Sequence, residues 1–223
     1  MALRAETDPP VAVLTTGDNL YDVDPAFALM PYDWMDANGV EFWITWGEED
    51  VSDPARIQAI DTSFDSPPRW LALTWGAVEI VILDSTQVDS PEQQDFLEGA
   101  MAAGAAPTLV VFHHPPFTCT ADDPGVPSVD GLTELLDGDV VMVLSGHYGG
   151  YQRFEDAGIQ YVVSGGGGNT LDEILPCPED QPQLASGDAI HHFLAISQEE
   201  TQLRVEAVNV TGSVIDAFSV ALG

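Results

Sequence analysis

Short apolar runs that stop at a glycine or a polar residue recur along the chain and predict buried β-strands. Several of them lead straight into side chains that can act as bases or metal ligands. Because such groups gather at the carboxyl ends of strands in open α/β sheets, we expect them to meet at one edge. The runs are 11–16 before Asp18, 40–46 before Glu48, Glu49 and Asp50, 109–112 before His113 and His114, and 140–144 before His147.

The rest of the pattern predicts further strands and a few helices. Residues 70–75 and 78–83 flank Gly76 and predict a hairpin, and Ser90 before Pro91 supplies an N-cap and a first-turn proline for a helix over 91–103. Helices lie mainly in the first two-thirds of the chain, which indicates a two-layered β core with flanking helices. The other predicted strands are 159–164, 189–197, 202–210 and 214–220. The other predicted helices are 2–6, 22–38 and 132–136, with 55–64 as a short helix or loop and 118–131 and 175–187 as loops.

The charge balance of the 223-residue chain is strongly acidic. It has 5 basic residues against 37 acidic ones, a formal net charge of −32, and no lysine. Such a surface repels nucleic acid and anionic membranes, so we expect neither as a partner. The hydrophobic fraction of 45% is enough for a core, no apolar run is long enough for a transmembrane helix, and we expect one domain over residues 1–223.

The two cysteines, Cys119 and Cys177, lie in loops rich in proline and aspartate. They can form one disulfide in an exported protein, but two cysteines alone do not decide the question. Residues 1–10 contain no apolar signal core, so an exported and a cytoplasmic location both stay open.

Candidate chemistry comes from one aspartate and several histidines at the ends of separate strands. Carboxylate and imidazole are the usual protein ligands of Zn, Fe and Mn, so Asp18, His113 and His147 together indicate a metal site. His191 and His192, at the start of a late strand, are interpreted as structural. Arg153 is assigned to packing or a salt bridge, with anion neutralisation as the alternative.

The order of motifs resembles that of the calcineurin-like metallophosphoesterases, and is most similar to their purple-acid-phosphatase-like branch. The motifs are GDNLY, a strand that ends in G-x-x-D, VVFHHPPF and SGHYGGYQRF, and the resemblance runs over almost the whole chain. It implies an α/β fold, a calcineurin-like four-layer β-sandwich flanked by helices. In the family a further strand with the first motif precedes the equivalent of residue 11, so that first strand is expected to be missing here.

The resemblance also implies roles for individual residues. Asp18 matches the bridging aspartate, Tyr21 the tyrosine of GDxxY, His113 the histidine that ends a strand (with His114 as the alternative), and His147 the first histidine of GH-x-H. Glu48 stands where the family has an asparagine ligand, Glu49 where it has the catalytic histidine, and Gly149 where it has the second histidine of GH-x-H. The implied metal ligands are therefore Asp18, Tyr21, Glu48, His113 and His147, and the candidates for acid or base catalysis are Glu49, Asp50 and His114.

Three interpretations of this altered site are open. The first is a hydrolase of phosphate esters with a single divalent ion, Fe, Zn or Mn, acting on a small phosphorylated molecule. The second is an inactive family member that binds a ligand or a partner protein, with or without a metal. The third is a chain whose first motif lies upstream of residue 1.

Overall fold

The computed structural model describes residues 10–20, 35, 37–104, 106–121, 127–136 and 138–223. The helix predicted at 2–6 and most of the helix predicted at 22–38 lie outside this range, as does Tyr21. No helix within the described part of the chain is long and apolar enough to cross a membrane.

A seven-stranded mixed sheet forms the centre of the fold, in the order β3-β4-β5-β6-β8-β7-β9. Strands β4, β5, β6 and β8 run parallel to one another, whereas β3 pairs with β4, and β7 with both β8 and β9, in the antiparallel sense. Its strands are β3 (Leu71–Trp75), β4 (Val78–Ile82), β5 (Thr108–Val111), β6 (Val140–Ser145), β7 (Tyr151–Asp156), β8 (Ile159–Ser164) and β9 (Leu184–Asp188).

Two smaller sheets accompany the central one. The last three strands form an antiparallel sheet in the order β10-β11-β12. Strands β1 and β2 form a short parallel pair, and β1 is the strand predicted before Asp18. The strands are β1 (Ala12–Leu14), β2 (Glu41–Trp43), β10 (His192–Gln198), β11 (Gln202–Asn209) and β12 (Val214–Ala221).

The middle of the central sheet is buried on both faces because β4, β5 and β6 consist mainly of apolar residues. Ile80 and Ile82 of β4 contact the small antiparallel sheet through residues such as Val205, whereas Val81 faces a helical layer that includes Leu97. The helices are α1 (Glu48–Val51), α2 (Pro54–Ser63), α3 (Pro91–Ala103) and α4 (Asp130–Thr133), with a 3₁₀ turn at Ser85–Gln87. The fold is thus α/β with a large mixed sheet and flanking helices, as the sequence predicted.

Several local predictions are confirmed. The predicted hairpin is formed by β3 and β4, with Trp75 opposite Val78. Helix α3 begins at Pro91, and the Ser90 side chain accepts a hydrogen bond from the Gln93 amide, as an N-cap should. Of residues 55–64, left open between helix and loop, 55–63 are helical in α2 and Phe64 is its C-cap.

Other local predictions are wrong. Strand β7 was not predicted because its sequence, YQRFED, is too polar to read as a strand, yet it is held between β8 and β9. Residues 184–187 were assigned to a loop, but LASGD forms the edge strand β9 by pairing with β7. The predicted strand at 40–46 ends at Trp43, and Glu48 begins the short helix α1.

Candidate metal centre

Two glycines allow the loop after β1 to approach the loops that follow β2 and β5. Gly17 has a φ of 93°, and a Cβ at this position would collide with the ring of His113. A Cβ at Gly47 would collide with the carboxylate of Asp18. The close contact of these loops brings together the ends of strands from two different sheets.

Four side chains converge at this edge: Glu48, His113, His114 and His147, whose ligand atoms all lie within 4.8 Å of one another. Glu48 is at the centre of the group. Its Oε2 atom is 2.9 Å from His113 Nε2 and 3.0 Å from His114 Nε2, and its Oε1 atom is 2.8 Å from His147 Nδ1. His113 and His114 are almost wholly buried, at 1% and 2% exposure.

The donor set fits a divalent metal ion. Glu48 Oε2 and His113 Nε2 are buried, yet neither makes a hydrogen bond although they lie close together. Buried polar atoms in proteins are nearly always hydrogen-bonded, so atoms that converge without such geometry are typical of ligands arranged around an ion. One carboxylate and three imidazoles are a common ligand set for Zn, Fe or Mn.

The Nδ1 atoms of the adjacent histidines, His113 and His114, contact polar groups outside the cluster. His113 Nδ1 is 2.6 Å from the Thr16 carbonyl oxygen, and His114 Nδ1 is 2.8 Å from Ser85 Oγ. Partners of this kind fix the orientation of ligand rings. Thr16 and Ser85 were not among the predicted site residues. The sequence signal for both is that they lie at or just beyond the end of a predicted buried strand, Thr16 at the end of 11–16 and Ser85 shortly after 78–83.

The charges at this site are strongly coupled. Burial opposes protonation of His113, but the carboxylates of Asp18 and Glu48 outweigh it and raise the pKa of His113 to about 10. Burial would raise the pKa of Glu48, but the three imidazoles close to its carboxylate oxygens hold that pKa far below its ordinary value. Protons and a metal ion therefore compete for the same atoms.

Asp18 lies beside the cluster, with Oδ2 3.3 Å from His113 Nε2. Its Oδ1 atom accepts a hydrogen bond of 3.0 Å from the Glu49 amide, which ties the first loop to helix α1. A φ of 54° places Asp18 in the left-handed region, where a residue other than glycine is held under strain. Strain of this kind is common at functional sites and indicates that the Asp18 backbone is held in place by its surroundings.

Two of the predicted acid–base candidates, Glu49 and Asp50, do not belong to the four-residue cluster. The Glu49 carboxylate forms an ion pair with Arg56 of helix α2. Asp50 is fully buried and accepts hydrogen bonds from the Leu20 amide, the Gly47 amide and the Asn19 side chain. Burial raises the pKa of Asp50 to about 6. The third candidate, His114, lies in the cluster.

A cleft of about 300 Å³ adjoins the cluster and shares His147 with it. Tyr148, Thr120 and the carboxylate of Asp172 also line it. Gly149 lies against one wall of this cleft: its amide donates to Asp172 Oδ2 at 2.6 Å, and its carbonyl accepts from the Asp172 amide at 2.8 Å. A Cβ at Gly149 would collide with the backbone of Thr170, so there is no room here for a larger residue.

The two cysteines form a disulfide, with Cα atoms 4.5 Å apart across a separation of 58 residues. The bond links two segments that line the cleft. Thr120, next to Cys119, and Leu175, two residues before Cys177, are both lining residues. The Leu175 amide also donates to the Cys119 carbonyl oxygen. Whether Cys119 and Cys177 are bonded was left open by the sequence, and the structure shows that they are.

Each arginine in the described part of the chain is paired with a carboxylate. The pairs are Arg56 with Glu49, Arg69 with Asp84, Arg153 with Asp216 and Arg204 with Glu206. Arg153 also lies over the ring of Phe218 at 4.6 Å, in agreement with the packing role predicted for it. His192 is likewise structural: it is buried, and Nε2 and Nδ1 contact Ser164 Oγ and the Ile190 carbonyl oxygen.

Comparison with known proteins gives one curated relative of clear similarity, from Synechococcus sp., described as a probable cyclic nucleotide phosphodiesterase. It is 30% identical over 202 residues, which are 80% of this chain and 70% of the relative. No protein-family profile matches the chain.

Two solved structures share the fold. The purple acid phosphatase from yellow lupin (Lupinus luteus) seeds superposes with a TM-score of 0.76 at 18% identity, over 96% of this chain and 47% of the phosphatase. The chain therefore spans about half the length of that enzyme. GAP50 of Plasmodium, described as the anchor in the inner membrane complex, gives a TM-score of 0.70 at 16% identity, over 96% of this chain and 79% of GAP50. At these identities the likeness concerns the fold alone.

Proposed function

The chain belongs to the calcineurin-like metallophosphoesterase family, and from this membership we propose that it hydrolyses phosphate esters at a single-metal centre. The ligands we assign are Glu48, His113 and His147, with Asp18 beside them. The observation that carries the proposal is the convergence of Glu48 Oε2 and His113 Nε2, two buried atoms that lie 2.9 Å apart and make no hydrogen bond.

The relative from Synechococcus supports a phosphodiester as the substrate class, since that protein is described as a phosphodiesterase. The cleft beside His147 is of a size suited to the alcohol part of a small ester. The acidic surface disfavours highly charged phosphates, because the described arginines are already paired with carboxylates.

A divalent ion held by these residues would polarise a phosphoryl oxygen and lower the pKa of a bound water molecule. The protein's own contribution is to orient the reacting groups. The Thr16 carbonyl fixes the His113 ring, and the Glu49 amide holds Asp18. His114, whose Nε2 atom faces the same carboxylate as His113, is the side chain best placed to contact a phosphate oxygen.

Glu49 and Asp50 are less suited to proton transfer in this mechanism. The Glu49 carboxylate forms an ion pair with Arg56. Both oxygens of Asp50 accept hydrogen bonds, from the Asn19 side chain and from the Leu20 and Gly47 amides. We therefore assign acid–base assistance to His114 rather than to either carboxylate.

A second candidate function is ligand or protein binding without turnover. One observation favours it: the residue in the position of the family's catalytic histidine, Glu49, is engaged in an ion pair. GAP50, which is described as an anchor, has the same fold. In this alternative the cluster binds a metal or an anion for structural or recognition purposes.

The deciding experiment measures hydrolysis of bis-p-nitrophenyl phosphate and p-nitrophenyl phosphate by metal-free protein and by protein reloaded with Zn, Mn or Fe. We expect turnover that requires a metal and falls by about 100-fold or more in His113→Ala, because a metal ligand is lost. The matched control is His191→Ala, which removes a histidine outside the cluster. A protein that binds one metal ion and hydrolyses neither ester would favour the binding function.

A further inference from the structure

The adjacent histidines His113 and His114 present the same ring atom to Glu48 but have different partners behind them. Their Nε2 atoms are 2.9 and 3.0 Å from Glu48 Oε2. Behind His113 is a carbonyl oxygen, that of Thr16, whereas behind His114 is a hydroxyl group, that of Ser85. Since the partner of one ring nitrogen decides which nitrogen carries the proton, the two histidines need not share a role.

The tautomer of His113 follows from the chemistry of its partner. A carbonyl oxygen can only accept a hydrogen bond, so Nδ1 of His113 must carry the proton that it donates to Thr16. The lone pair of the neutral ring then lies on Nε2, the atom that faces the centre. This is the tautomer of a metal ligand.

The tautomer of His114 follows from the bonds made by Ser85 Oγ. This oxygen already accepts a hydrogen bond of 3.0 Å from the backbone amide of His114. Ser85 is fully buried, and within the described part of the chain the only other hydrogen-bond partner of its hydroxyl is His114 Nδ1, at 2.8 Å. The hydroxyl proton is paired only when Ser85 donates it to Nδ1, and Nε2 of His114 then carries the ring proton.

The position of Ser85 is itself well fixed. It begins the 3₁₀ turn Ser85–Gln87, whose N-cap, Asp84, accepts from the Thr86 amide and from Arg69. The side chain of Gln93 in helix α3 fixes the backbone of Asp84, because it accepts a hydrogen bond from the Asp84 amide and donates one to the Asp84 carbonyl oxygen. The hydroxyl is therefore held at one place relative to the His114 ring.

We propose that Ser85 is a positioning residue that holds His114 as the tautomer protonated on Nε2, so that His114 is a hydrogen-bond donor to the substrate and not a metal ligand. His113, held by the Thr16 carbonyl, is the ligand of the pair. Glu48 Oε2 makes no hydrogen bond, so the His114 proton remains available for a phosphoryl oxygen. The tautomer stands on the contacts of Ser85 alone, whereas the contact with substrate rests on the proposed function.

The first test measures zinc affinity with a competing chelator in His113→Ala, His114→Ala and Ser85→Ala. We expect His113→Ala to lose about 100-fold in affinity, as for a ligand, and the other two to stay within about 3-fold of the wild type. The matched control is Ser164→Ala, which removes a hydroxyl bonded to a histidine outside the cluster, His192. A loss in His114→Ala as large as that in His113→Ala would overturn the proposal.

The second test can be decided on the wild-type protein, with Ser85→Ala as a comparison. Nitrogen-15 NMR of the histidine rings in zinc-loaded wild-type protein reports which nitrogen carries the proton. We expect His114 to be protonated on Nε2, and to become protonated on Nδ1 in a substantial fraction of Ser85→Ala molecules. A proton on Nδ1 of His114 in the wild type would contradict the proposal.

Kinetics separate positioning from general stability. In an active protein, Ser85→Ala and His114→Ala should lower kcat with little change in KM, and the double variant should be no slower than His114→Ala. Additive losses would contradict a shared role. If no ester is hydrolysed, the proposed function fails, while the metal affinities and ring tautomers still decide the role of Ser85.

Discussion

Glu48 Oε2 lies 2.9 Å from His113 Nε2 at a site where both atoms are buried and neither makes a hydrogen bond. In the metal-free protein this contact joins a carboxylate to an imidazolium, because the pKa of His113 is raised to about 10. A metal ion can bind His113 only after that proton has left.

Metal affinity should therefore depend on pH. Below pH 10 His113 is protonated in the metal-free protein, so one proton must be released for each ion bound, and the apparent affinity should fall about 10-fold for each unit of decreasing pH between about 8.5 and 6.5. Competition with a chromophoric chelator across this range measures the slope. An affinity independent of pH would show that His113 loses no proton when the metal binds.

Glu48 should contribute strongly to metal affinity, whereas its neighbour Glu49 should not. Glu48→Gln removes the negative charge that faces the three imidazoles, and we expect about 10- to 100-fold weaker zinc binding. Glu49→Gln is the matched control, because the Glu49 side chain pairs with Arg56 and is not part of the cluster. Equal losses in the two variants would contradict the assigned ligand set.

Asp50 should make stability depend on pH in the acidic range. The pKa of Asp50 is raised to about 6 by burial, so the folded state holds the proton more tightly than the unfolded state does. Ionisation then destabilises the fold as pH rises from about 4 to about 6, by on the order of 3 kcal/mol.

Asp50→Asn has no such ionisation. Its free energy of unfolding relative to the wild type should therefore increase by about that amount, on the order of 3 kcal/mol, between about pH 4 and pH 7. Urea denaturation at both pH values measures this difference. Asp53→Asn is the control, an exposed N-cap at which asparagine is equally favourable. A difference between Asp50→Asn and wild type that does not change with pH would contradict the raised pKa.

Replacement of Gly149, at the wall of the cleft, should lower the stability of the fold. In Gly149→Ala the new methyl group would press on the backbone of Thr170, and we expect a loss of about 1–3 kcal/mol in the free energy of unfolding. Gly168→Ala is the control, since a Cβ at residue 168 would have no neighbour within 4 Å. Thermal or urea unfolding compares the two variants, and equal stabilities would mean that the contact of residue 149 with Thr170 is loose.

The disulfide should contribute measurably to stability. Cys119 and Cys177 are bonded across a separation of 58 residues, so the double variant Cys119→Ser/Cys177→Ser should lose roughly 2–4 kcal/mol. Reduction of the wild type should give a similar loss, and the reductant should have no effect on the double variant. Two free thiols in the oxidised, purified protein would contradict the bond.

The fold and the edge that carries the site were predictable because the strands concerned are apolar throughout. Strands β5 and β6 are buried on both faces, so their sequences show where they end, and His113 and His147 follow as expected. Strand β7 was missed because its polar side chains are satisfied by distant partners, such as Asp216 for Arg153. A contact across 63 residues leaves no local pattern.

The division of roles within the site was less predictable than its location. Spacing placed His114 near the centre but could not reveal the Ser85 hydroxyl behind it, which comes from a strand end 29 residues away. Likewise, nothing local shows that Glu49 pairs with Arg56 or that Asp50 binds the loop at Leu20. These assignments depend on which side of a short helix each carboxylate occupies.

The pairing of every described arginine with a carboxylate has a consequence for the order in which ligands bind. With these cations neutralised and a formal net charge of −32, metal-free protein repels an approaching phosphate group. The same field attracts divalent cations to the cluster. For the proposed hydrolysis we therefore expect ordered binding, in which the cation binds first and its positive charge weakens the repulsion that an anionic ester meets at the cleft.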